Sequence, residues 1–186
     1  MNYLVISTSL SEKSRSRVMA RVAYDDLKAK GKKVEWLDLV EHPLPFCDAG
    51  KAYSHPEVGV VSQMVGRASG IVLSGPVYNF DYNSAAKNLI ELTGAQAWSG
   101  KIVGLMAAAG GRSSYMSLLS LGNSLTLDFR SVVLPRFVYA TGEAFGANRE
   151  IEDDAVRQRI DRLVEDCVLF TENLVAYTER ERQDRP

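Results

Sequence analysis

Three stretches of this chain are apolar at consecutive positions, and they constrain its fold more than any other feature. They are Tyr3-Leu4-Val5-Ile6, Ile71-Val72-Leu73 and the run from Ile102 to Ala108, which only Gly104 interrupts. A strand with one wet face alternates apolar and polar residues, whereas a strand apolar on successive positions is covered on both sides. Between these runs the period changes to that of a helix. Val18, Met19, Val22, Ala23 and Leu27 fall on one stripe, as do Val58, Val61, Met64, Val65 and Ala68. Leu118, Leu121 and Leu125 form another, and Val156, Ile160, Leu163, Cys167, Phe170 and Leu174 a last and longer one. Buried strands joined by amphipathic helices imply a parallel sheet with helices on both faces.

Two further strands complete the pattern. Lys33 to Leu39 alternates, with Val34 and Trp36 opposite Lys33 and Glu35, which suits a position near the sheet edge. Ser131 to Ala140 is broken by Pro135, which favours a bulge or an edge there. Helix ends are also legible. Gly31 supplies a stop after the first helix, and Ser54-His55-Pro56-Glu57 has the form of a capping box with a first-turn proline. Asn83 can cap a helix through Leu92 that Gly94 ends, and Pro43 and Pro45 mark 42–53 as a loop. The expectation is one domain over 1–178, followed by a charged, frayed tail over 179–186.

With 46% apolar residues, 186 positions fill one sizeable core. A formal net charge of -1 supplies no field for nucleic acid or an anionic membrane. Two cysteines, Cys47 and Cys167, suit a reducing compartment. No basic-then-apolar leader opens the sequence, and no apolar stretch approaches the ~20 residues a bilayer requires. These features predict a cytoplasmic protein.

In doubly wound sheets ligands bind beyond the carboxyl ends of the strands. Three such ends carry clusters of Ser, Gly, Pro or Asn. After Ile6, the loop Ser7 to Arg17 sets Ser9, Ser11, Ser14 and Ser16 beside Arg15 and Arg17 at a helix N-terminus. Free N–H groups, the helix dipole, hydroxyls and positive charge together make a phosphate cradle. Serines used only as turn and cap residues are the alternative. Neither G-x-G-x-x-G nor G-x-x-x-x-G-K-[ST] follows this strand, which excludes a dinucleotide fingerprint and a P-loop. After Leu73 comes Pro76-Val77-Tyr78-Asn79, a turn that exposes a large amphipathic ring suited to a flat heteroaromatic ligand. Gly110-Gly111 follows the third apolar run and permits close approach from another side. His42 and His55 read as surface residues and Cys167 as core.

In these features, taken in order along nearly the whole chain, the sequence resembles the NAD(P)H-dependent FMN reductases of flavodoxin-like fold. The resemblance rests on Ser9, Ser11, Ser14, Arg15 and Ser16 in the phosphate loop and on the turn Pro76, Val77, Tyr78, Asn79. It is completed by Lys87-Asn88 on the next helix and by Gly110-Gly111. It departs at Ser11, where many members carry Arg, at Val77, where many carry Glu, and at Ala108-Ala109, where a serine often precedes the glycines. It implies a flavodoxin-like three-layer sandwich with a five-stranded parallel sheet in the order 2-1-3-4-5. It also implies bound FMN, NAD(P)H as co-substrate, and ping-pong hydride transfer to a flavin, quinone, azo compound or metal ion. No side chain then acts as acid or base, because the flavin carries the chemistry. Family members commonly pair, so a homodimer or homotetramer is expected, with contacts near Phe80, Tyr82 and the helix from Asn83. An electron carrier of the flavodoxin kind and a binding module that has lost flavin are the competing readings.

Overall fold

A computed structural model of the chain describes residues 1–183; Asp184, Arg185 and Pro186, at the end of the expected tail, lie outside the described residues. Four parallel strands lie side by side: β1 (Tyr3–Ser7) between β2 (Val34–Asp38) and β3 (Gly70–Tyr78), and β5 (Ile102–Ala109) beyond β3. The short β4 (Asp81–Tyr82) folds back antiparallel on the end of β3. Beyond β5 the last position is shared by β6 (Val132–Val133) and β7 (Val138–Thr141), both parallel to β5. The observed order is therefore β2-β1-β3-β5-β6, a seven-stranded sheet. With β4 set aside and β6 and β7 counted as one interrupted strand, this is the expected 2-1-3-4-5 arrangement.

The interruption has a clear cause. Val103 pairs with Val133 and Met106 with Val138, so five positions on one side face three on the other, two residues extra. Pro135 lies in that excess and has no N–H to give the ladder.

The period of two along each strand explains the fully apolar runs. Leu4, Ile6, Ile71, Leu73, Val103, Leu105 and Ala107 face a core shared with α2 (Pro56–Arg67), α3 (Ser84–Trp98) and α4 (Leu118–Phe129). Tyr3, Val5, Val72, Ile102 and Met106 face the opposite core, filled by α1 (Arg15–Ala29) and α5 (Asp154–Asn173). Each fully buried Leu, Ile or Val contributes about 1.5–3 kcal/mol relative to exposure. That gain is available on both sides of the sheet only because neither face carries a polar row.

Three local expectations need correction. The cap of α2 is His55 rather than Ser54, its Nδ1 accepting from the Glu57 N–H at 3.3 Å. Ser54 instead ends a 3-10 turn, and the Glu57 carboxylate is taken by His42 Nδ1 at 2.5 Å. Helix α3 does not stop at Gly94 but kinks there, with φ of 62°, and runs on to Trp98. The indole of Trp98 is fully buried and donates to Thr93 Oγ1 at 2.7 Å, which holds the extra turn. Finally α6 (Val175–Gln183) is helical where a frayed tail from 179 is expected. Its Arg182 donates to the Ala68 carbonyl at 3.1 Å.

The stretch after Leu73 differs as well. Strand β3 continues through Ser74, Gly75, Pro76 and Val77 to Tyr78, so the motif is itself strand. Only Asn79 and Phe80 form the turn, at φ of 51° and 63°. Two successive left-handed residues match the twist of a two-residue hairpin, and Asn is suited to the first. Inside this strand Gly75 has no room for a side chain. A Cβ there would lie 2.3 Å from Thr8 Oγ1, 2.5 Å from Tyr82 Cε1 and 2.6 Å from Asn83 Oδ1. Gly75→Ala is therefore expected to lower stability by about 1–3 kcal/mol, as overpacking does. Thermal or urea denaturation measures this, and an unchanged midpoint would show that these neighbours can move aside.

Candidate functional site

The loop after β1 is held in shape by bonds to β3 and its hairpin. The Thr8 N–H donates to the Ser74 carbonyl at 2.9 Å. Thr8 Oγ1 donates to Asn83 Oδ1 at 2.8 Å while Asn83 Nδ2 donates to the Thr8 carbonyl, also at 2.8 Å. Asn83 stands at the N-cap position of α3, but its side chain is spent on this exchange and makes no capping bond. Ser74 Oγ donates to the Ser16 carbonyl at 2.8 Å, tying the first turn of α1 to the same strand.

Ser14 caps α1, its Oγ accepting from the Arg17 N–H at 3.2 Å, and shares a 2.8 Å bond with Ser16 Oγ. Among the described residues the first-turn N–H groups of Arg15 and Ser16 have no acceptor, as a helix start requires. Arg17 does not add charge to the cradle as its place in the loop suggests. Its guanidinium grips both Asp38 oxygens, at 2.5 and 3.0 Å. It also donates to the Ser9 carbonyl at 2.9 Å and the Ser11 carbonyl at 2.5 Å. Arg17 is thus an internal staple that fixes the path of the loop.

Ser9, Ser11, Ser14, Arg15, Ser16, Pro76, Val77, Tyr78 and Gly110 all line one cleft of about 280 Å³. Three strand ends distant in sequence meet there. Asn79 and Gly111 fall outside this lining. Asn79 faces an adjoining cleft of about 700 Å³ that shares Tyr78 and includes Phe46, Cys47, Asp81, Lys87 and Asn88. The Gly111 carbonyl accepts from the Tyr139 hydroxyl. A Cβ at Gly110 or Gly111 would meet nothing within 4 Å, so these glycines leave open space rather than satisfy backbone strain.

Lys13, Arg149, Ala108 and Ala109 also line the smaller cleft and are missed by reading the motifs. The alanines extend the Gly-Gly turn and were within reach of that pattern. Arg149 lies in a short connector before α5 with no periodicity or motif around it, so nothing local marks it.

Other candidates have structural roles. Asn88 accepts from the Cys47 N–H at 2.8 Å and donates to the Pro45 carbonyl at 2.9 Å, pinning the proline loop to α3. Tyr82, expected at a subunit contact, is buried, and its hydroxyl donates to the Met106 carbonyl at 2.7 Å. Burial holds that phenol well above its ordinary pKa. Phe80, beside it, is 68% exposed. Cys167 is core, and burial pushes its thiol up to about 12. Among the described residues no helix is long and apolar enough to cross a membrane.

Comparison with known proteins places this architecture. Residues 1–146 match the family described as NADPH-dependent FMN reductase. The chain is 29% identical over 136 residues to an NAD(P)H-dependent FAD/FMN reductase of Geobacillus thermodenitrificans (strain NG80-2), covering 73% of this chain and 74% of that protein. It is 25% identical over 180 residues to the NADH-dependent FMN reductase SfnF of Pseudomonas putida, covering 93% and 94% of the two chains. Among solved structures, FerB, a flavoenzyme NAD(P)H:(acceptor) oxidoreductase from Paracoccus denitrificans, superposes with a TM-score of 0.74 at 20% identity, over 92% of this chain and 97% of that one. A sheet in flavodoxin-like order, a cleft at the ends of three of its strands, and a family match over residues 1–146 agree: this chain belongs to the NADPH-dependent FMN reductase family.

Proposed function

We propose that the protein is an FMN-dependent NAD(P)H oxidoreductase whose flavin occupies the cleft between the β1–α1 loop, the end of β3 and Gly110. The observation that carries this reading is the convergence of Ser9, Ser11, Ser14, Arg15, Ser16, Pro76, Val77, Tyr78 and Gly110 on one cavity. The residues present fit the group. Orphan N–H groups at the start of α1, serine hydroxyls and Arg15 are donors for a phosphate. Tyr78, 58% exposed, offers a ring surface, and the open space at Gly110-Gly111 leaves room for a flat heterocycle.

Bound FMN supplies the two-electron chemistry, and the protein supplies position and electrostatics. In this reading Ser9, Ser11, Ser14, Arg15 and Ser16 hold the phosphate end. Pro76, Val77, Tyr78 and Asn79 border the ring from one side, and Gly110-Gly111 from the other. The adjoining cleft, which Tyr78 and Asn79 share, is where donor and acceptor enter in turn. That single approach gives a ping-pong order, with NAD(P)H first and a small acceptor second: a flavin, a quinone, an azo compound or a metal ion. The exposed ring of Phe46 lines that cleft, and the exposed Phe80 follows Asn79 in the chain, which suits pairing of two copies over it. Two free cysteines are compatible with the reducing cytoplasm proposed for it.

Purified protein is expected to be yellow or to become so with FMN, and anaerobic NADPH should bleach the flavin band. A preparation that neither holds nor takes up flavin overturns the assignment. Ser14→Asp keeps an N-cap side chain but sets a negative charge beside the phosphate. Like charges ~4 Å apart near a protein surface repel by up to about 4 kcal/mol, so the FMN Kd should rise at least about tenfold. Tyr78→Ala is expected to raise the FMN Kd about three- to tenfold, as loss of an aromatic contact does. Because that ring is exposed, apo stability should stay within about 0.5 kcal/mol of wild type. A large drop in the apo melting temperature would make Tyr78 a core residue instead.

A further inference from the structure

The cleft carries three cations that no carboxylate among the described residues neutralises. Lys13, Arg15 and Arg149 all line it, its lining contains no Asp or Glu, and among the described residues none of the three is in an ion pair. Other arginines of the chain are paired, including Arg17 with Asp38 and Arg157 with Asp26. Three like charges converging beside a helix N-terminus repel one another unless an anion sits between them.

Arg149 is the unexpected member, because it comes from the connector between β7 and α5. A tight turn aims it at the cleft. Phe145 bridges Ile151 antiparallel, the Gly146 N–H donates to the Glu150 carbonyl at 2.9 Å, and the Arg149 N–H donates to the Gly146 carbonyl at 2.9 Å. Arg149 itself takes a left-handed φ of 67°, a conformation a long side chain seldom adopts without a reason. Its guanidinium donates to the Lys13 carbonyl, which leaves further N–H donors on a side chain that lines the cavity. The same connector steadies Arg15, whose guanidinium stands 5.8 Å from the centre of the Phe145 ring.

We infer that Arg149 is a phosphate-binding residue: the 142–151 connector, tied to the serine loop through the Lys13 carbonyl, adds a charged contact to the phosphate end of the ligand. This rests on the proposed FMN site and adds to it a charge contact from outside the loop and turn that mark the family. It makes the cleft selective for a phosphomonoester over the same heterocycle without phosphate. Arg149 is a binding residue with no part in the redox step.

The test compares FMN with riboflavin. Apo protein is titrated with each by flavin fluorescence quenching, for wild type, Arg149→Gln and Arg149→Lys. Gln can still donate to the Lys13 carbonyl but carries no charge, so the loop bond survives while the charge is lost. The expected result is a rise of about tenfold or more in the FMN Kd for Arg149→Gln, as loss of a charge-assisted bond implies. Riboflavin affinity should change less than about twofold, and Arg149→Lys should recover most of the FMN affinity. Equal losses for both flavins would make Arg149 a loop-positioning residue and overturn the inference, as would an unchanged FMN Kd. If wild type bound neither flavin, the FMN reading itself would fail. Inorganic phosphate then decides the anion site separately: it should raise the melting temperature of apo wild type but not of Arg149→Gln, and equal shifts in the two would overturn the inference. Should Arg149→Gln fail to fold, Arg149→Gly, which suits the left-handed backbone there, removes the same charge in the same FMN and riboflavin comparison and is read against the same outcomes.

Discussion

The exchange of hydrogen bonds between Thr8 and Asn83 is what the cleft depends on. Each side chain is buried, and each satisfies the other's polar groups across 75 residues of sequence. A buried polar pair fully satisfied in this way is rigid, because breaking one bond leaves an unpaired group without water. It docks the loop after β1 against the hairpin after β3 and fixes the spacing of two of the three turns. Gly75 belongs to the same arrangement, since only a residue without a side chain lets Thr8, Tyr82 and Asn83 close in on β3. Tyr82 completes it by bonding to the carbonyl of Met106 on β5, the strand that leads to the third turn.

Charge is divided around this frame in a way that residue type alone would not suggest. Arg15 and Arg17 are two positions apart at the start of one helix. That spacing puts them on different sides of it, so Arg17 reaches Asp38 at the end of β2 while Arg15 faces the cleft. The inward arginine is a staple, neutralised by a buried carboxylate. The outward one is in no ion pair among the described residues and lies beside Lys13 and Arg149. The loop thus has a fixed backbone and a cationic mouth, which is the combination an anion site needs if binding is not to be spent on ordering the loop.

The layers of the fold were legible because they follow from burial on two faces. Consecutive apolar residues at Tyr3–Ile6, Ile71–Leu73 and Ile102–Ala108 can be satisfied only inside a covered sheet, and the helical stripes supply the covers. Pro135 marked the break in the last strand for a reason local to its ring. Errors arose where a neighbour distant in sequence competed for a local signal. Ser54 lost the cap of α2 to His55 because Glu57 is taken by His42. Gly94 did not end α3 because Trp98 finds a buried site further on, and Tyr82 is core because a carbonyl on β5 accepts its hydroxyl.

From sequence alone come the sheet class, the strand order through family resemblance and the serine loop, since period, turn chemistry and helix capping act over a few residues; the stretch read as a Pro76-to-Asn79 turn is strand as far as Tyr78, with the turn at Asn79 and Phe80. Tertiary structure alone decided which of those residues share a cavity, that Arg17 turns away from it, and that Arg149 turns toward it. Those choices depend on contacts spanning 21 residues for Arg17 and Asp38 and 136 for Arg149 and Lys13. Local pattern carries no record of them, because a hydrogen bond or an ion pair needs two groups within ~3 Å and the chain's path between them is set by the packing of everything else.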